Sequence, residues 1–373
     1  MSEKKKIGIL TFHNAHNYGA VLQAYALKTK LNRMGYEAKI LNYRNPYIAR
    51  LYRKVIHIDF WKRDILPSRW GKVIREVGEN FYGLKEWQSQ WKVFERFIED
   101  HLLDGQTKKL TMKDLEKEQC DVYILGSDQI WARELTHGFD PVYFGQFAPE
   151  HKKISYAASV PNGNIPETEQ GYFRQALKNL AHISVREEKL AQAVEKLVGK
   201  EVTTVVDPTL LLEKNDYEEL LYEKPLVQEK YIFAYFVVEN AMLDKCAKKA
   251  AEITGYRLIE LHYKKTPELN GENIIFDAGP REFLTYIRDA ELIFTNSFHG
   301  TVFSILFQKK FYSVYKENGR ITNLLTFLNL ESRHIKAENE IDDTEVIDYH
   351  SVADRLCSYR SQSVDYLKKG IEQ

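Results

Sequence analysis

The sequence predicts an α/β protein of two doubly wound domains facing each other across a cleft. Three observations predict it. The chain has 373 residues, beyond the size at which a single hydrophobic core usually stops growing. Two series of short apolar, β-rich runs alternate with segments of helical spacing, the pattern of parallel sheets covered by helices on both faces. Between the two series lies LLEKNDYEELLYEKPLVQE (211–229), a charged stretch carrying Pro225 that interrupts the alternation and reads as a linker.

In the first series, Lys6 to Phe12 reads as a buried strand followed by the turn-like HNAHNYG. Ala20 to Met34 then has helical spacing, with Val21, Leu22, Tyr25, Leu27 and Leu31 on the apolar face and Gly35 as the stop. Glu37 to Tyr43 is the next strand, which completes a βαβ unit and makes the sheet parallel with a right-handed crossover. Further strands are expected at 121–125, 153–157, 182–185 and 202–206. The second series places strands at 231–238, 256–261, 274–276, 292–295 and 310–314. The domains are accordingly expected at 1–215 and 216–340, with 341–373 a helical segment available to pack back on the first domain.

Residues 46–118 depart from the alternation and read as a helical insertion on the acceptor side of the cleft. There Arg50, Arg53, Lys54, Lys62, Arg63, Arg69, Lys72 and Arg75 interleave with Tyr52, Phe60, Trp61 and Trp70. Such a pattern fits either amphipathic helices with solvated basic faces or a wall that stacks on an anionic or carbohydrate ligand.

Composition narrows the function classes. Lys plus Arg and Asp plus Glu both number 53, so the net charge is zero and a general nucleic-acid binder is not expected. Cys120, Cys246 and Cys357 are isolated and match neither a disulfide framework nor a zinc-ligand spacing, which suits a reducing cytoplasm. The start, MSEKKKIGILTFHN, lacks the apolar run of a signal peptide, and the longest clean apolar run, 231–238, is too short to span a bilayer. A soluble cytoplasmic protein with at most peripheral membrane contact is the expectation; oligomeric state is not legible.

In open parallel sheets, ligands bind beyond the carboxyl ends of the strands. Five strands here deliver polar groups at that end: HNAHNYG (13–19), GSDQIW (126–131), SVREE (184–188), DPT (207–209) and NSFHG (296–300). HNAHNYG brings His13, His16, Asn17 and Tyr18 but lacks G-x-G-x-x-G and a P-loop lysine, so no nucleotide fingerprint is present. In GSDQIW, Asp128 serves a turn or acts as a base or sugar-hydroxyl acceptor, with Trp131 as a platform. Ser184 and Glu187 have capping-box spacing, which leaves Arg186 in a first helical turn better suited to forking a carboxylate or phosphate. Asp207 reads as a cap. In NSFHG, Ser297 caps a helix near His299, Gly300 allows close approach, and His299 is a structural histidine, an anion ligand or a general acid.

As an ordered set, NYGAVLQAYAL, GSDQIW, SVREE, DPTLLL and GPREFLTYIRDAELIFTNSFHGTVFSILF resemble the polysaccharide pyruvyl transferase family from about Ile7 to Arg333. The resemblance implies a fold similar to GT-B glycosyltransferases, with two Rossmann-like domains. It also implies transfer of a pyruvyl group from phosphoenolpyruvate, a donor substrate rather than a cofactor, to a sugar diol of a bacterial exopolysaccharide or cell-wall glycan. Phosphate is released and a ketal formed. On that reading His299 and Asp128 are catalytic, with His13 or His16 as alternative bases. Arg186, Asn296, Ser297 and Gly300 bind the donor, and His13, Asn17, Tyr18 and Trp131 bind a carbohydrate acceptor, free or lipid-linked. No metal and no cofactor are expected. Several family members carry Arg-Leu-His where this chain has Ser297-Phe298-His299. The alternatives are a glycosyltransferase using a nucleotide sugar and a non-catalytic glycan-binding protein of the same fold.

Overall fold

The computed structural model describes residues 3–53, 83–342 and 346–373. The basic and aromatic side chains expected from Tyr52 to Arg75 lie outside the described residues. In the first half, strands β1 (Lys6–Leu10), β2 (Glu37–Ile40), β3 (Val122–Leu125) and β4 (Lys153–Ser155) form a parallel sheet in the order β2-β1-β3-β4. Strands β5 (Ile183–Val185) and β6 (Val202–Thr204) pair with each other, and single bridges from Ile154 to His182 and from Ala158 to Val185 join them to β4. In the second half, β7 (Tyr231–Phe236), β8 (Arg257–His262), β9 (Ile274–Ile275), β10 (Leu292–Thr295) and β11 (Lys310–Ser313) form a parallel sheet ordered β11-β10-β7-β8-β9. The expected pair of doubly wound sheets is therefore present.

The long helices are α1 (Tyr18–Arg33), α2 (Pro46–Arg53), α3 (Leu84–Phe97), α4 (Glu167–Leu177), α5 (Glu188–Val198), α6 (Ala241–Thr254), α7 (Pro280–Asp289), α8 (Phe298–Leu306), α9 (Gly319–Leu328) and α10 (Tyr349–Glu372). Strand order reverses beside β1 in the first sheet and beside β10 in the second. Those reversals are where crevices open in this fold class. The chain leaving β1 forms HNAHNYG and enters α1, and the chain leaving β10 forms NSFHG and enters α8. The two motifs thus sit at the two switch points, and the folding of the sheets brings them together.

Helix α1 is the seam between the halves. Asn17 caps it by accepting from the Ala20 N–H at 3.2 Å. From Tyr18 to Lys28 every residue of it is buried, because both halves cover it. The Tyr18 ring stacks on Phe283 of α7 at 4.5 Å between centroids and 12° between planes, while its hydroxyl donates to the Ala278 carbonyl at 2.8 Å. One continuous apolar cluster includes Ile9 and Leu27 from the first half with Phe283, Ile287 and Phe303 from the second.

One local expectation changes. The stretch 211–229 is no free linker: Tyr217 and Leu220 are fully buried, Tyr217 donates to the Thr209 carbonyl at 2.9 Å, and Arg281 holds the Leu220 carbonyl at 3.0 Å. Helix α10 packs back on the first half, as its place after the second series suggested. Its Ser363 hydroxyl oxygen accepts from the Val206 N–H at 3.0 Å, and Tyr366 donates to the Ser155 carbonyl at 2.7 Å. The third helical turn of α10 from its end therefore fixes the residue immediately before Asp207. Among the described residues, no helix is long and apolar enough to cross a membrane.

Because Tyr18 belongs to both halves, Tyr18→Ala should cost about 3–5 kcal/mol of global stability. Denaturant unfolding should still show one cooperative transition. A loss below about 1 kcal/mol would mean that the halves are not joined through this ring.

Candidate active site at the domain seam

The site is built around one carboxylate. After β6 the chain turns into a short 3₁₀ segment, Pro208–Leu211, and Asp207 starts it by accepting from Thr209 N–H at 3.0 Å and Thr209 hydroxyl at 2.7 Å through Oδ1. The capping expectation for Asp207 is met, and half of the side chain is left over. Its Oδ2 accepts from Arg186 Nη1 at 2.8 Å and lies 3.5 Å from His299 Nε2. Burial would raise the Asp207 pKa, yet His299, Arg186 and Thr209 outweigh it and hold the carboxyl well below its usual range.

Arg186 arrives from the end of β5. The expected capping box does not form there. Ser184 and Ser155 exchange bonds across β4 and β5, each hydroxyl donating to the other's carbonyl, at 2.9 and 3.0 Å. Helix α5 begins only at Glu188, so Arg186 precedes it rather than occupying its first turn. The cross-strand pairing outcompetes a cap because both serines are fully buried and a buried hydroxyl needs its partner. Arg186 is itself buried. Its Nε bonds Glu187 Oε1 at 3.2 Å, and Glu187 also accepts from the Ser159 hydroxyl at 2.8 Å. Burial alone would lower the Arg186 pKa; Glu187, Asp207 and Asp128 reverse that and raise it. Its Nη2 has no protein partner, nor has Glu187 Oε2.

His299 comes from the other half, in the first turn of α8. Ser297 caps that helix through the Gly300 N–H at 3.1 Å. Gly300 is small because a Cβ there would lie 2.5 Å from Thr295 Oγ1. The His299 ring lies flat against Gly19 of α1, where a Cβ would come within 1.9 Å of Nδ1. Asp207 Oδ2 faces Nε2 at 3.5 Å, and Nδ1 packs against Gly19. Phe298 completes the cluster: the Arg186 guanidinium carbon lies 5.0 Å from its ring centroid and that of Arg320 lies 5.8 Å away. Arg186, Asp207, Phe298 and Arg320 line one cavity of about 600 Å³.

The sequence model of the polysaccharide pyruvyl transferase family matches residues 17–318, which contain all of this machinery except Arg320. The chain belongs to that family. Among curated proteins, none matches it in sequence. Solved structures share the fold at low identity. The S. aureus MnaA–UDP complex is 13% identical, with a TM-score of 0.52 over 98% of this chain and 96% of that one. A UDP-N-acetylglucosamine 2-epimerase is 10% identical, with a TM-score of 0.52 over 99% and 95%. The UDP-GlcNAc 2-epimerase of Methanocaldococcus jannaschii is 11% identical, with a TM-score of 0.50 over 96% and 93%. These likenesses show the fold and nothing finer.

Within this pyruvyl transferase family member, the residues anticipated from sequence divide into three groups. Arg186 and His299 meet at Asp207, and half-exposed Asp128 lies near enough to act electrostatically on both Arg186 and Arg320. Asn296, Ser297 and Gly300 belong to the scaffold instead. The Asn296 amide is consumed by Val237 N–H at 2.9 Å and Val238 carbonyl at 2.7 Å, Ser297 by the helix cap, and Gly300 by contact with Thr295. The acceptor assignments are corrected as well. Trp131 (1% exposed) is a core residue that stacks on Phe144 and donates to Tyr143, Tyr18 (1%) is the seam, and Asn17 is a cap. Sequence reasoning missed Gly19, Phe298 and Arg320, and it saw only the capping half of Asp207. Among the described residues, no three His, Cys, Asp or Glu side chains converge to hold a metal.

His13 and His16 belong to a separate polar cluster with Asn42, Arg44 and Glu95. His13 is fully buried and bonds Thr11 carbonyl at 3.3 Å and Asn42 Oδ1 at 3.4 Å. Burial, reinforced by Arg44, pulls its pKa down to about 4, so it is neutral at pH 7 and cannot touch a sugar. His16 bonds Glu95 at 3.0 Å beneath a cavity of about 830 Å³ that Arg44 and Trp91 also line.

Two outcomes follow from these contacts. Gly19→Ala places a methyl where the His299 ring must lie. Activity should therefore fall at least about 100-fold, equivalent to roughly 2.7 kcal/mol at the transition state, and the overlap should also lower stability by about 1–3 kcal/mol. Normal turnover in this variant would remove His299 from the chemistry. The second outcome concerns His13. Its folded pKa lies below the unfolded value, so the unfolded chain binds the extra proton between about pH 6.5 and pH 4, and stability falls as pH drops through that window. Between pH 7 and pH 5 the loss should be about 2 kcal/mol. His13→Gln should flatten that slope; equal slopes would refute the assignment.

Proposed function

We propose that the protein transfers a pyruvyl group from phosphoenolpyruvate to two hydroxyls of one sugar in a glycan, forming a ketal and releasing phosphate. The observation that carries this reading is the buried guanidinium of Arg186, whose Nη2 has no protein partner, held by Asp207 next to the imidazole of His299. Buried donors are normally satisfied. One left open on a guanidinium, with an imidazole on the same carboxylate, fits an anionic donor with a proton source next to it.

In this reaction the donor's methylene carbon accepts a proton from His299. The adjacent carbon, which carries the carboxylate and the phosphate ester, becomes cationic. The first sugar hydroxyl adds there and its proton passes to Asp128. The carbon–oxygen bond to phosphate then breaks, phosphate leaving with the electron pair. The second hydroxyl adds to the same carbon, and its proton leaves with phosphate. Carbon gains one proton and the hydroxyls lose two, so a proton returned from Asp128 to His299 closes the cycle. Asp207, fixed by Arg186 and Thr209, orients the imidazole. Arg186 offers its open Nη2 as a donor to the departing phosphate.

The test is thermal unfolding and phosphate release, with phosphoenolpyruvate compared against nucleotide sugars for wild type and His299→Ala. Phosphoenolpyruvate at about 100 times its dissociation constant should add roughly 2.7 kcal/mol of stability. Turnover should vanish in His299→Ala while folding persists. Stabilisation by a nucleotide sugar alone would replace this reading with glycosyl transfer.

A further inference from the structure

Arg320 is the charged residue that the fold least explains. It occupies the first turn of α9, after the Asn318 cap, where the exposed N–H groups already make the local potential positive. It is half-buried, and its side chain reaches back to Phe298, the ring that Arg186 also touches. The two arginines differ in their company. Arg186 has Glu187 at 3.2 Å and Asp207 at 2.8 Å. No carboxylate among the described residues comes within 4.0 Å of Arg320 in an ion pair; Asp207 is engaged by Arg186 and Thr209, and Glu187 gives Oε1 to Arg186 and Ser159 while its Oε2 has no partner. Burial and the nearby Arg186 charge both lower the Arg320 pKa, and Asp128, Glu187 and Asp207 act on it only at longer range.

A purely structural arginine should be paired. This one stands unpaired beside another cation, at a positive helix end, and each of those three circumstances is unfavourable. All three are relieved by an anion. Two further features point to a ligand rather than to solvent. Arg186, with a side chain only 5% exposed, leaves Nη2 without a partner. Arg320 also stands where two cavities meet, of about 600 and 460 Å³, and it lines both.

We propose that Arg320 is the second cation of the donor site, so that Arg186 and Arg320 each hold one anionic group of a ligand carrying two. This rests on the donor assignment above, since phosphoenolpyruvate carries a phosphate and a carboxylate. Arg320 lies two residues beyond the matched family region, which ends at residue 318. A ligand that engages both cations gains the second contact intramolecularly, so it binds far more tightly than either fragment.

The experiment is calorimetric binding of phosphoenolpyruvate, inorganic phosphate and pyruvate to full-length wild type, Arg320→Ala and Arg320→Lys, with unfolding midpoints of the ligand-free proteins. Arg320→Ala should weaken phosphoenolpyruvate 10- to 100-fold, leave one of the two fragments at wild-type affinity, and weaken the other. Arg320→Lys should recover part of the loss. Ligand-free Arg320→Ala should be at least as stable as wild type, because an unpaired cation has been removed. Phosphoenolpyruvate binding within twofold of wild type, or a marked fall in the ligand-free midpoint, overturns the proposal. If wild type binds phosphate and not phosphoenolpyruvate, the donor assignment fails, and the Arg320→Ala effect on phosphate alone decides this one. If it binds neither, both fall.

Discussion

The arrangement depends on Asp207. A carboxylate 1% exposed is tolerable only when its charge is matched and its lone pairs are filled. Here the matching is distributed across the whole molecule: Thr209 from its own turn, Arg186 from the neighbouring strand, His299 from the opposite sheet. The same carboxylate therefore closes a turn, neutralises a buried guanidinium and receives the imidazole of the second half. Its backbone is held from a fourth direction, since the preceding N–H is bound by Ser363 of the last long helix. The site is a consequence of the seam, and neither half contains it alone.

That seam also explains an oddity of α1. A helix on the face of a doubly wound sheet usually keeps a solvated side, yet α1 is buried nearly all round, including Gln23 and Lys28. The polar members survive because they find partners inside: Gln23 bonds Thr11 at 2.7 Å, and Lys28 bonds Asp104 at 2.6 Å. Gly19 fits the same logic. Glycine in a helix is unfavourable by intrinsic propensity, and here the missing methyl is the space occupied by the His299 ring.

The strands and their parallel order were legible because their signals are local, a run of apolar residues followed by a turn. The five polar clusters were legible too, since a sheet's carboxyl ends can be located from its strands. What sequence reasoning lost was pairing at long range. Asp207 offers a sufficient local explanation as a cap, and that explanation is true of one oxygen only. Ser184 and Glu187 have capping-box spacing, but Ser155, 29 residues away, claims the serine and Ser159 claims the glutamate. Trp131 looked like a platform because it follows Asp128 in a loop, and the loop then turns its ring into the core. Arg320 carries no motif at all; only the return of α9 to Phe298 gives it meaning.

Ser297 is the remaining departure from the family pattern, and the geometry shows why it does not empty the site of charge. The serine is spent on the α8 cap, a task that arginine's side chain does not perform. Positive charge instead reaches the next residue, Phe298, from Arg186 in the first half and Arg320 in α9. An aromatic ring suits that position, because its face attracts guanidinium groups without neutralising them. A carboxylate in its place would pair with them and close the site to anions. Phe298 thus brings Arg320, which makes no ion pair among the described residues, beside Arg186, whose charge Asp207 and Glu187 already balance.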